Sequence, residues 1–320
     1  MELYRLTRTM VAGALMLLPG GIACASDSLE VTLLVDEASA THMALVTAAR
    51  EQLDKRNGNG PGIRLGILDV SQFRSALQGP LSGQDLLVAV GTRATREAAT
   101  VDSAVPLLSV MIPRLAYEQI HAERVTNSAF SAIFLDQPME RRFELVRRVV
   151  PGAKHVGVLL SDSTLPYQAE LQQVALDSAM QLEVESVREE DRVVPLLDRL
   201  LRRSDAMLAI VDLLVFNRAN VRNVLLTAYR HRVPVFGVSE SYAKAGCVAA
   251  VYSTPGHIGV QLAEEILAYA TDGDAGLPTP QFPRYFSVAY NSRVARSLDL
   301  SLEKLEGFGK QPETSSGVEQ

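Results

Sequence analysis

The chain has 320 residues, 31 Lys and Arg against 37 Asp and Glu, 47% hydrophobic residues, two Cys and no Trp, with a net charge of -6. A mildly acidic balance without a basic stripe argues against a nucleic-acid partner, and two cysteines are too few for a disulfide scaffold. The length exceeds what one hydrophobic core usually organises, so two lobes are expected.

The amino terminus carries Arg5 and Arg8, the apolar run Met10 to Leu18, Pro19-Gly20-Gly21 and the small residues Ala23-Cys24-Ala25. This reads as a bacterial secretory signal over residues 1–25, because the apolar run is far shorter than the roughly 20 residues of a membrane span. Cleavage after Ala25 would leave a soluble periplasmic protein beginning at Ser26. The alternative acylates Cys24, but Gly21-Ile22-Ala23-Cys24 lacks the usual Leu three positions before the Cys. Cleavage after Ala25 leaves Cys247 alone, so no intramolecular disulfide is expected.

The first half then predicts strand 30–35, helix 41–55, strand 63–69, a short helix near Phe73, strand 85–90, a helix opening at Thr92, and strands 105–111 and 129–135. The turn from Asn57 to Gly62 and the stretch from Asp272 to Pro283 are the composition breaks. After Pro138, suited to a first helical turn, come helix 138–149, strand 155–161, helix 166–180 and strand 182–187. Helix 191–203, strand 206–211, helix 216–231 and strands 233–238 and 247–252 follow. The rest predicts an amphipathic helix from Pro255 to about Ala270, strand 284–289, a small helix 291–297 and a polar, disordered tail over 310–320.

Strands alternating with helices predict an α/β protein of two Rossmann-like lobes with parallel sheets. If the helix at Pro255 returns to the first lobe, the chain crosses three times and makes a hinge. Lobe 1 is then residues 26–136 plus 254–282 and lobe 2 residues 137–253 plus 283–309. Pro138, Tyr252 and Ser253 are the expected hinge residues.

Ligands of such sheets bind beyond the carboxyl ends of the strands, which selects candidate contacts. Thr92 and Arg93 sit at a strand-to-helix turn able to hold an anion, although Thr92 could equally be a helix cap. Ser161 and Asp162 occupy the equivalent turn of the second lobe. Asp212, Ser239 and Glu240 follow two further strands, and either carboxylate could pair with a ligand ammonium or simply be solvated. Asp36, Glu37 and Ser39 are the corresponding candidates after the first strand.

Enzymatic signatures fail. Gly237-Val238-Ser239-Glu240-Ser241 imitates a nucleophile elbow but lacks the closing Gly, and no Asp lies between Ser239 and the later His257. The five His show no metal spacing, and there is no Walker loop and no Gly-x-Gly-x-x-Gly after a strand. No catalytic residue, metal or cofactor is expected.

DLLVAVGTRATREAA at 85–99, ERRFELVRRVVPGAKHVGVLLS at 140–161, VPVFGVSESYAKAGCVAAVYSTPGHIGVQLAEEIL at 233–267 and YFSVAYNSRVARSLDLSL at 285–302 together resemble the substrate-binding proteins of ABC transporters. The likeness is to the type I periplasmic-binding fold, similar to tryptophan/tyrosine-type binding proteins. It implies a monomeric periplasmic protein that captures a small polar ligand, an amino acid or another small organic solute, by hinge closure and delivers it to an ABC permease. The alternative is a sensing module that partners a membrane receptor or sensor kinase. Family members usually carry an HPALD-like loop after the first strand and an Asp-Pro-Val-like loop after the fourth. Here those positions read Asp36-Glu37-Ala38-Ser39 and Met111-Ile112-Pro113-Arg114, so the identity of the ligand does not transfer.

Overall fold

The structure, a computed structural model, describes residues 28–312 except 37, 57–61, 77–84, 125–127, 189–192, 213, 217–219 and 273–275. The expected signal segment with Cys24, the candidate Glu37 and the tail beyond residue 312 lie outside the described residues.

The first lobe runs β1 (Leu29–Val35), α1 (Ala40–Arg56), β2 (Ile63–Asp69), α2 (Phe73–Ala76), β3 (Leu86–Val90), α3 (Gly91–Ala99), β4 (Leu107–Ile112), α4 (Arg114–Glu123) and β5 (Phe130–Phe134). Its strands form a five-stranded parallel sheet in the order β2-β1-β3-β4-β5. The second lobe contains α5 (Met139–Val149), β6 (His155–Ser161), α6 (Gln168–Asp177), β7 (Gln181–Val187), α7 (Val193–Leu201), β8 (Ala206–Leu208), α8 (Val221–Arg230), β9 (Val235–Gly237), α9 (Glu240–Ala245) and β10 (Ala249–Tyr252). After α10 (Pro255–Thr271) the chain adds β11 (Ser287–Tyr290) and α11 (Ser292–Ser297). The second sheet is ordered β11-β10-β9-β8-β6-β7, parallel except where β11 pairs antiparallel with β10.

The patterning explains the layers. β3 (LLVAV) is buried at every position, as a strand covered by helices on both faces must be. The edge strand β7 instead carries Glu183 and Glu185, which pair with Arg203 and Arg199, a charged edge that discourages strand addition.

α10 belongs spatially to the first lobe although it follows a strand of the second. Its Ile258, Leu262 and Ile266 join Leu45, Val88 and Ile133 in one core. At Gly259 a side chain would overlap the Leu45 carbonyl and come within 2.9 Å of Ala48 Cβ, so glycine sets how closely α10 approaches α1. Thr254 caps α10 by accepting from His257 N–H, and the His257 ring accepts from Thr254 N–H, a reciprocal capping box. The chain therefore crosses between sheets from β5 to α5, from β10 to α10 and from α10 to β11.

Some expectations need correction. A helix, α4, fills the stretch read as a connection between the strands at 105–111 and 129–135. Only Tyr117 and Ile120 of it are buried, a stripe too thin to register as a helical pattern. The strand expected at 206–211 ends its ladder at Leu208; Ala209 and Ile210 stay buried without extending the sheet. The short α9 was also not anticipated. The tail is ordered at its start: Lys310 and Phe286 exchange both backbone hydrogen bonds at 2.8 and 2.9 Å.

Candidate functional site

The carboxyl ends of both sheets face one another across a cleft, and a cavity of about 200 Å³ lies in it beside the crossings. Pro113, Leu135 and Asp136 line it from the first lobe; Met139, Arg142, Tyr167, Ile210, Val211, Val238, Ser239, Val251 and Tyr252 from the second; Gln137 and Ser253 from the crossings. Largely apolar walls with a few convergent polar groups are what a small-molecule site requires.

Its charges come from residues that sequence reasoning passed over. Asp136 follows β5, and its carboxylate accepts a 2.6 Å hydrogen bond from Arg114 N–H at the start of α4. Burial raises its pKa above the ordinary carboxylate value, opposed by that bond and by the Arg142 charge. Arg142 is almost fully buried on α5, donates to the Ala209 carbonyl, and has its pKa pushed down to about 10 by desolvation. Tyr167, also buried, has its hydroxyl pKa raised, first by desolvation and then by the Asp136 charge. Arg142 shares the inward stripe of Met139, Phe143 and Val146. A cation on that stripe is the signal that could have identified it.

The altered loop after β4 builds this end of the cleft. Met111 has φ 55° at a register shift between Val110 and Ile112, a left-handed conformation that costs a non-glycine residue about 1–2 kcal/mol. The bulge redirects the chain so that Pro113 meets the cavity and Arg114 opens α4.

Of the expected ligand contacts, Ser239 lines the cavity, with its hydroxyl 2.7 Å from that of Ser241. Glu240 is exposed and pairs with Lys244 at 2.7 Å. Asp212 is turned inward, a correction to its reading as the partner of a ligand ammonium. It is 3% exposed; one carboxylate oxygen accepts from Ser161 N–H and the Thr164 hydroxyl, the other from Leu214 and Val215 N–H. Ser161 is buried beside it with its hydroxyl on that of Ser163, while Asp162 is exposed.

On the first lobe, Ser39 spends its hydroxyl accepting from His42 N–H at the start of α1. Asp36 accepts from Ala38 N–H with its side chain and donates its own N–H to His42 Nδ1. Thr92 is half-buried and does not cap α3, which opens one residue earlier at Gly91 with no side-chain cap; Arg93 is exposed. Gly91 has φ +82°, and a Cβ there would sit 3.1 Å from His42 Nε2. Burial lowers the His42 pKa, against the opposing charge of Asp36. None of Asp36, Ser39, Thr92, Arg93, Ser161, Asp162 or Asp212 lines the 200 Å³ cavity.

The expected hinge residues lie at the crossings. Pro138 precedes α5 and accepts from Arg142 N–H, and Tyr252 ends β10 against the cavity. Gln137 donates to the Ser253 hydroxyl at 2.8 Å, Ser253 donates to the Tyr285 carbonyl at 2.6 Å, and Arg141 donates to Gln137 Oε1 and the Pro283 carbonyl. One hydrogen-bond chain thus stitches all three crossings, and its Gln137 and Ser253 also face the cavity.

Residues 81–273 match the family model described as ABC transporter substrate binding protein. The chain belongs to that family. No curated protein sequence matches it. Solved structures share its fold: a ligand-free, open substrate binding protein with adhesive properties from Clostridium difficile is 16% identical at TM-score 0.64, over 91% of this chain and 97% of that one. An ABC domain from Streptococcus pneumonia in complex with L-Trp is 15% identical at TM-score 0.57, over 88% and 98%. A conserved domain protein from Vibrio cholerae is 17% identical at 0.56, over 88% and 97%. These likenesses establish the type I periplasmic-binding architecture expected from the sequence. The family is one of substrate-binding proteins of ABC transporters. Among the described residues no helix is long and apolar enough to cross a membrane, and no cluster of His, Cys, Asp and Glu is placed to hold a metal.

Proposed function

We propose that this family member is exported to the periplasm, captures a small polar solute in the interlobe cavity by closing its two lobes, and delivers it to an ABC permease. The observation that carries the reading is the cavity itself: about 200 Å³, walled by both lobes, beside three stitched crossings. Ligand that touches both walls stabilises the closed arrangement, which is the surface a permease reads. Asp136 and Arg142 supply one group of each sign within mostly apolar walls, which suits a small solute bearing both charges or either one. Ser239 adds a hydroxyl able to fix its orientation, and Tyr167 adds a wall. No acid-base or nucleophile constellation is assigned, and the protein acts by binding.

Thermal melting of the exported protein against amino acids, organic acids, nucleosides and sugars tests this. A ligand at a hundred times its Kd should add about 2.7 kcal/mol of stability, and Asp136→Asn or Ser239→Ala should reduce the shift. Failure of every compound class to move the melting temperature would refute capture in this cavity. Stimulation of a reconstituted permease ATPase by the loaded protein tests delivery; binding without stimulation would instead favour the receptor-partnered sensor. Amino-terminal sequencing of the exported protein should begin at Ser26.

A further inference from the structure

Arg114 opens α4 in the first lobe, yet its guanidinium is fastened to the second. Its Nη2 donates to Glu170 Oε2 on α6. Its guanidinium carbon lies 4.9 Å from the centre of the Tyr167 ring, and Phe282 of the third crossing covers it at 5.7 Å. The Arg114 and Glu170 side chains are 20% and 28% exposed, so their attraction is less screened than that of a surface pair. The competitor on its own helix is weak: Glu118 stands 3.8 Å away and is 53% exposed. Tyr167 is at once the ring under Arg114 and a wall of the cavity.

We propose that Arg114 and Glu170 form a clasp that holds the two lobes together at this rim without any ligand and fixes Tyr167 as a cavity wall. Arg114 acts as a positioning residue. Lobes joined only by crossings move relative to one another unless an interface restrains them. A planar guanidinium between a carboxylate and an aromatic face is well suited to that task. The part played by Tyr167 as a wall rests on the reading of the cavity as the ligand site; the clasp itself does not.

Small-angle X-ray scattering of the unliganded protein tests it, with melting curves to show that each variant is folded. Glu170→Gln is isosteric and should lower the closed-to-open ratio roughly tenfold, equivalent to about 1.4 kcal/mol, and so enlarge the radius of gyration. Arg114→Ala and the double variant should expand to the same extent as Glu170→Gln, because each removes the same link, whereas Arg114→Lys, which keeps the charge but not the planar stack on Tyr167, should expand less than any of them. Folded single variants that scatter like the wild type would overturn the clasp, as would a double variant whose expansion is the sum of the singles. Expansion of these variants alongside a wild type that binds no compound would leave the clasp standing and count against the proposed function alone.

Discussion

Removal of the Asp212 carboxylate should cost the second lobe much of its stability whether or not a ligand is present. Its two oxygens accept four hydrogen bonds, from Ser161 N–H at 3.1 Å, the Thr164 hydroxyl at 2.7 Å, Leu214 N–H at 2.8 Å and Val215 N–H at 3.2 Å. In an Asp212→Ala variant Ser161 N–H keeps the Thr164 hydroxyl at 3.0 Å, and that hydroxyl keeps the Ser161 carbonyl at 3.3 Å. Leu214 and Val215 N–H lose the carboxylate they share. At about 1.5–3 kcal/mol for each hydrogen bond to a charged group, the loss should be about 3–5 kcal/mol, a fall of roughly 10 °C in melting temperature. Asp212→Asn keeps one acceptor oxygen for Leu214 and Val215 and should cost less than half as much. Burial alone would raise the Asp212 pKa, but its hydrogen bonds outweigh burial and hold it below the ordinary 3.8. Its stabilisation is therefore present above the unfolded-state pKa and lost as pH falls through the lower folded-state value, so the Asn variant should show a shallower acid limb. Urea unfolding across that pH range reads both effects. An alanine variant within about 0.5 kcal/mol of the wild type, below the ordinary value of one hydrogen bond, would refute the reasoning, and so would an asparagine variant worse than alanine.

Gly259→Ala should destabilise the first lobe by about 1–3 kcal/mol, because its Cβ would drive α10 away from α1; unfolding equal to the wild type would show that the helices separate freely. The Cys247 thiol is fully buried, and burial pushes its pKa up to about 12. A thiol reagent at pH 8 should leave it unmodified until the second lobe unfolds, which mass spectrometry of the treated native protein checks. Truncation after Gly309 deletes the Lys310 ladder to Phe286 and the 2.8 Å contact between Gln311 and the capping His257 ring. The melting temperature should fall by several degrees for a loss of about 2 kcal/mol; an unchanged value would mean that the tail adds nothing to the stability of the fold.

The alternation of strands and helices was legible because strands such as β3, buried throughout, and β6, buried after His155, leave continuous apolar runs. The apolar face of α10 announced that it is buried but not which lobe buries it, so its return to the first lobe stood only as a condition, and the pairing direction of β11 was not legible at all. The site was less legible because one of its charges stands on a helix and the other, although directly after β5, has no sequence feature that separates it from the other strand-end acids. Arg142 sits on a helix stripe that reads as core, and Asp136 closes the first lobe just after β5. The residues that reasoning did select, Ser39 and Asp212, carry the polar atoms a loop needs for its own hydrogen bonds, and a short acid or hydroxyl at a strand end looks the same in sequence whichever partner it serves.

The return of α10 to the first lobe also bears on how the chain reaches its folded state. Residues 28–136 contain all five strands of the first sheet, yet the helix that covers Leu45 and Ala49 lies more than a hundred residues further on, and β11, which closes the second sheet, comes later still. Neither lobe can complete its core while the carboxyl-terminal fifth of the chain is missing. A nascent chain therefore stays short of its native state until almost all of it has been made.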